Sequence, residues 1–143
     1  MLTIFQTSGL RPIHPVHALL LAFTAPMCLG ALLSDIAYAS TYQIQWANFA
    51  AWLIMGALVG GGFALLWALI SALRERAARS RRQLVYALLL LAMWIVSFVN
   101  ALVHAKDAWA AMPAGLWLSL TATVFALLAS WIGFSGLRAG DLK

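Results

Sequence analysis

Charge is scarce in this chain. Of its 143 residues only 9% are Asp, Glu, Lys or Arg, and just four are acidic. A soluble domain keeps roughly a quarter of its residues charged to cover its surface, so here lipid has to replace water over most of the exterior. Cysteine is scarcer still. Cys28 stands alone, which excludes an intrachain disulfide and leaves a thiol that packs as a small hydrophobe. There is no glycine-rich phosphate loop, no His-Glu-x-x-His helix and no Ser/His/Asp arrangement. The middles of the apolar segments carry no Asp, Glu, Lys or Arg, only polar residues such as Thr24, Ser97, Thr121 and Thr123. Transporters and channels generally need ionisable groups at that depth, so their absence argues against transport.

What the chain has is length of apolar sequence. Hydrophobic residues make up 64%, in four runs over about 15–38, 46–73, 83–103 and 114–137. Each reaches the ~20 residues that cross a ~30 Å hydrocarbon core at ~1.5 Å per residue. Pro15 and Pro113 suit helix starts, where a missing N–H costs nothing, and Pro26 falls inside the first run, where a kink is expected. The connections are short: a polar turn around Ser40 to Gln45, an arginine-rich loop, and a loop around Lys106 to Met112. Short connections force neighbouring helices to run antiparallel. The fold expected is therefore all-α: one transmembrane domain over residues 1–143, an integral membrane four-helix antiparallel bundle. Ala37-Tyr38-Ala39 resembles a signal-peptidase site. The run before it is too long for a leader, however, and Pro26 and Asp35 interrupt it, so an uncleaved first span is expected.

Orientation follows from counting basic residues. Arg11, the loop residues Arg74, Arg76, Arg79, Arg81 and Arg82, and the tail residues Arg138 and Lys143 all fall on one side, and only Lys106 falls on the other. Eight against one places both termini and the arginine loop in the cytoplasm of a plasma (bacterial inner) membrane. Trp46, Trp109 and Trp117 would then lie near the outer interface, and Trp67 and Trp131 near the inner one. The formal charge of +5 sits mostly in that loop, so membrane topology rather than nucleic acid binding accounts for it.

The opening Arg11-Pro12-Ile13-His14-Pro15-Val16-His17 resembles the start of a bacterial membrane family known only as domain of unknown function 2231, and Ser130-Trp131-Ile132-Gly133 resembles its close. The resemblance implies a four-helix membrane protein whose first helix opens with His-Pro-x-His. It also implies redox company, because members of the family occur beside or fused to redox modules. There are departures. Ala18 follows His17 where the family often has a second His-Pro pair, and no proline follows Phe23. Leu66, Trp67 and Ala68 stand where acidic residues are often found.

The candidate functional residues form two groups. His14 and His17, three apart, share a helix face at the inner end. Two histidines are half a metal site, so no metal is assigned to them. They could bind a cofactor such as haem b, or simply anchor the helix in the interface. A haem strung between His17 and His104 is excluded, because the two should lie most of ~30 Å apart. At the outer end, Asp35 is about 20 residues along the first helix and His104 about 21 along the third, at equal depth by the helical rise. Asn100 sits one turn from His104. An Asp35–His104 pair could be part of a quinone-headgroup pocket, a docking face for a periplasmic protein, or a structural clasp between helices. Gly56 and Gly60 form a small-xxx-small pair, which would serve packing within the bundle or a homodimer. The leading reading is a non-enzymatic accessory or scaffold subunit of a membrane complex, in contact with lipid and a protein partner. The alternative is an electron-transfer component that binds quinone or haem for a periplasmic dehydrogenase.

Overall fold

A computed structural model describes residues 14–74, 81–106 and 108–138, with no account of the side chains of 108, 109 and 136–138. Arg11, Arg76, Arg79, Asp107, Lys143 and the side chains of Trp109 and Arg138, which entered the counts above, lie outside this description. The helices are α1 (Pro15–Thr41), α2 (Ile44–Arg74), α3 (Arg81–His104), the short α4 (Ala108–Ala111) and α5 (Ala114–Arg138). No strand occurs among the described residues.

Local chemistry sets the helix ends. The Val16 N–H donates to His14 Nδ1 at 3.3 Å, so this histidine caps α1, with Pro15 in the first turn. α1 continues through Pro26 without a break and stops where Tyr42 adopts a left-handed conformation (φ 56°) and its N–H donates to the Tyr38 carbonyl. α2 begins at Ile44, leaving only Tyr42 and Gln43 between the two helices. The sequence suggests a longer polar turn, because Ser40 and Thr41 read as loop residues. In the structure their hydroxyls donate back to the Ala37 carbonyl at 3.0 and 2.7 Å and so extend the helix.

α1, α2, α3 and α5 form a ring in that order, each antiparallel to its neighbours, with α1 and α3 parallel across the diagonal. The interior between them is made of small residues. Ala50, Ala57, Ala64, Ala126 and Ala129 are buried, and Leu21, Leu90 and Met93 fill the centre. Small residues let helix backbones approach closely where no hydrophobic effect drives them together.

The Gly60-Gly61-Gly62 run shows this most directly. A Cβ on Gly60 would lie 2.7 Å from Phe23 of α1, one on Gly61 2.6 Å from Met93 of α3, and one on Gly62 3.1 Å from Trp94 Nε1. Successive helical positions turn by ~100°, so three glycines in a row let α2 receive α1 on one side and α3 on the other. Trp94 uses this access to donate to the Leu58 carbonyl at 3.1 Å. The exterior is the opposite: Trp52 is 78% and Trp131 73% exposed, with Leu, Ile, Val and Phe around them. Such a surface suits hydrocarbon and would be an aggregation hazard in water.

Candidate functional site

The diagonal pair α1 and α3 carries most of the polar interior. Along α1 the buried positions 17, 21, 24, 28, 31 and 35 step by four, three, four, three and four. Along α3, Tyr86, Leu90, Met93, Ser97, Asn100 and His104 repeat that spacing 69 residues later. This is the a/d spacing of a helical seam, in which side chains from parallel helices meet at a constant offset. Polar partners occupy both ends of the seam, with Leu21, Leu90 and Met93 between them. Eighteen residues separate the two polar ends, or ~27 Å at ~1.5 Å per residue.

At the end where α3 closes, the Asp35 side chain is fully buried and that of His104 is 2% exposed, with Nε2 of His104 2.8 Å from Asp35 Oδ1. His104 Nδ1 lies 3.0 Å from the Asn100 backbone carbonyl. A carbonyl oxygen can only accept, so Nδ1 carries a proton. One further proton then lies between Nε2 and Oδ1. Whether drawn as imidazolium with carboxylate or imidazole with carboxylic acid, the pair is neutral overall. α5 completes the network: Ser119 Oγ donates to Asp35 Oδ2 at 2.5 Å and accepts from Asn100 Nδ2 at 2.8 Å. One turn along α5, Thr123 Oγ1 lies 2.7 Å from the Ser119 carbonyl and 3.0 Å from the Cys28 carbonyl, which share its one hydroxyl proton. Gly115 makes room for the imidazole, since a Cβ there would lie 2.7 Å from His104 Cε1.

His104 is therefore held on every polar atom. Its two ring nitrogens have partners, and its ring lies against α5. It does not fit as an iron ligand, which would need one of those nitrogens. A cavity of about 250 Å³ opens beside it, lined by Ile44, Ala47, Asn48, Ala51, His104, Lys106 and Ala111. With the ring nitrogens engaged, the polar side chains this cavity offers to a ligand are those of Asn48 and Lys106.

At the end that carries the termini, His17 Nε2 and Tyr86 Oη are 2.6 Å apart. The rings of His14 and His17 lie against Trp67, with centroids 4.8 and 6.1 Å away. His17 is 6% exposed, and its Nδ1 has no hydrogen-bond partner among the described residues. His14 is exposed and spends Nδ1 on the helix cap. Arg82, at the start of α3, ties the end of α5 with Nη2, which donates to the Ile132 carbonyl at 2.7 Å and to Ser135 Oγ at 2.6 Å. Among the described residues no three His, Cys, Asp or Glu side chains gather as a metal site.

Tyr86→Phe should leave both His17 nitrogens unbonded and lower stability by about 0.6–1.7 kcal/mol, from the average to the largest interhelical bond in a bilayer. Denaturant unfolding in detergent micelles would measure the change. Adding His17→Phe, which keeps an aromatic ring against Trp67, should restore most of the loss; no restoration would mean that the bond is not what holds these helices.

The structure thus brings Asp35, Asn100 and His104 together and keeps His14 and His17 at the other end. Gly56 and Gly60 face α1, where a Cβ would meet Met27 Sδ at 3.2 Å and Phe23 at 2.7 Å respectively. Ser119 and Tyr86 escaped the sequence reading, and Trp67 entered it only as an aromatic near the inner interface. Ser119 and Thr123 are four apart and so share a face of α5, but Thr121, Ser130 and Ser135 lie in the same helix and leave that face unmarked in the sequence.

No curated protein and no solved structure matches this chain. A family match covers residues 13–139, from the His-Pro-x-His opening to beyond the last span. The chain therefore belongs to the family described as predicted membrane protein, DUF2231.

Proposed function

We propose that this protein is a non-enzymatic accessory or scaffold subunit of a bacterial inner-membrane complex, with both termini and the arginine loop in the cytoplasm. One observation carries the reading: the ionisable pair inside the bundle is fully engaged in holding it together. Both oxygens of Asp35 and both ring nitrogens of His104 have partners within the bundle, and each side chain is at most 2% exposed. Groups whose polar atoms are all engaged have none to offer a substrate. They can lock three helices into one rigid unit, and a rigid apolar exterior is what a membrane partner packs against. The test is purification of the tagged chain in mild detergent, with its native mass measured. The expected result is a second polypeptide at fixed stoichiometry, retained through size exclusion. A chain that runs alone under every mild condition would sink the proposal.

A second reading, electron transfer with quinone or haem, draws support from two places. The cavity beside His104 offers Asn48 and Lys106 as donors to a quinone carbonyl. His17 keeps Nδ1 without a partner next to His14 and Trp67. A dithionite-reduced minus oxidised spectrum, together with extraction of bound quinone, separates the two readings. A haem band or stoichiometric quinone would replace the scaffold reading, and a blank from folded protein would leave it standing.

A further inference from the structure

The polar network around Asp35 has one loose end. Asn100 is 1% exposed, and its Nδ2 is held by Ser119, but its Oδ1 has no hydrogen-bond partner among the described residues. An amide can often be turned over to cure such a fault. Proton counting forbids it here. Ser119 has a single hydroxyl proton, which it gives to Asp35 Oδ2, so it can only accept from Asn100. The nitrogen must face Ser119, and the oxygen must look elsewhere.

Asn100 also lines a small space among buried residues of the bundle, whose other walls include Cys28, Ser97, Ser119, Ala57 and Ala122. About 10 Å³ of it is open to the centre of a water-sized sphere. That is roughly the room needed by one water molecule, which also requires two to four polar partners. The walls supply them. Among the described residues Ser97 Oγ has only sulfur partners, Met93 Sδ at 3.7 Å and the Cys28 thiol, weak bonds that leave it able to accept from a stronger donor.

We infer that this space binds one ordered water molecule. The water donates one hydrogen to Asn100 Oδ1 and the other to Ser97 Oγ, and the Cys28 thiol lies within the same wall. A sodium ion is of similar size, and charge decides against it. The Asp35–His104 pair is neutral overall, because Nδ1 of His104 must be protonated and a second proton is shared with Asp35. A cation beside it would be an uncompensated buried charge. A neutral ligand that both donates and accepts satisfies the oxygen without that penalty. With the water in place, the network runs from His104 and Asp35 through Ser119 and Asn100 to Ser97, tying α1, α3 and α5 along the upper third of the diagonal seam.

Two measurements on the full-length protein in lipid nanodiscs test this. A structure that resolves the Asn100 side chain should show an isolated density peak ~2.7–3.2 Å from both Asn100 Oδ1 and Ser97 Oγ. Clear density for the side chains with no peak between them would overturn the inference. So would a peak ringed by six oxygens at metal-ligand distances, which would be a cation. Independently, solution or solid-state NMR should give a rotating-frame cross-peak between the Asn100 side-chain amide protons and a long-lived water. In Ser97→Ala that cross-peak should weaken several-fold while the His104–Asp35 proton resonance stays in place. An unchanged cross-peak in a folded Ser97→Ala protein would remove Ser97 from the site and reject the proposed bonding. Wild-type spectra with no water contact to Asn100 would reject the site itself.

Discussion

Asp35→Ala is expected to lower the unfolding free energy by about 3 kcal/mol, the cost typical of breaking a buried ion pair by removing one partner. Two separate losses make it large. The bonds to His104 and Ser119 disappear, and the imidazole is left in an apolar interior with no partner on Nε2. A neutral interhelical bond in a membrane is worth less, ~0.6 kcal/mol on average and ~1.7 at most, so a loss near 3 would reflect the orphaned histidine. The decisive comparison is the double variant Asp35→Leu with His104→Leu. Replacing both members by apolar side chains removes the pair and the orphan together, and such replacements are often close to neutral. The double variant should therefore be more stable than Asp35→Ala alone, as read by denaturant titration in mixed micelles. If it is the less stable of the two, the orphaned histidine is not what makes Asp35→Ala costly.

Gly115→Ala is the second large effect, and it reaches the same pair from outside. The added methyl would lie 2.7 Å from His104 Cε1. That ring cannot swing aside, because Nδ1 and Nε2 are both tied. Overpacking of this kind costs about 1–3 kcal/mol, and the displaced ring should also lose its short contact with Asp35, visible as a shift of the His104 ring resonances. Gly61→Ala makes a control of matched geometry. Its methyl would meet Met93 Cε at 2.6 Å, closer still, yet that atom ends a flexible side chain that can rotate away. Alanine also favours the helix by ~1 kcal/mol over glycine. Gly61→Ala should be close to neutral, and if the two variants lose equal stability, rigidity of the neighbour is not what matters.

A comparison of the two polar clusters shows how far residue counting can go. The equal depth of Asp35 and His104 follows from their positions along two parallel helices, and the ~27 Å between the clusters from the helical rise alone. Once that pair is taken as the register, adding 69 to 17 points to Tyr86, and adding it to 28 points to Ser97. Ser119 has no such rule. It belongs to α5, an antiparallel neighbour 84 residues from Asp35, and which face of α5 meets the seam depends on how the ring of helices closes. The glycines are similar. Their spacing says that something approaches α2, and only the packed structure says that Phe23, Met93 and Trp94 are what approach.

By itself, then, the sequence determined that four helices would cross a membrane, because long apolar runs with so few charges can satisfy their backbone in lipid only as helices. It also determined the antiparallel order, since connections so short leave no other path. The tertiary structure decided which helices lie on the diagonal, and so which polar groups meet. The physical reason is that apolar side chains line the lipid-facing surface and much of the helix-facing surface alike. Hydropathy cannot tell them apart, and the choice falls to small residues and a few hydrogen bonds whose partners lie 69 or 84 residues away.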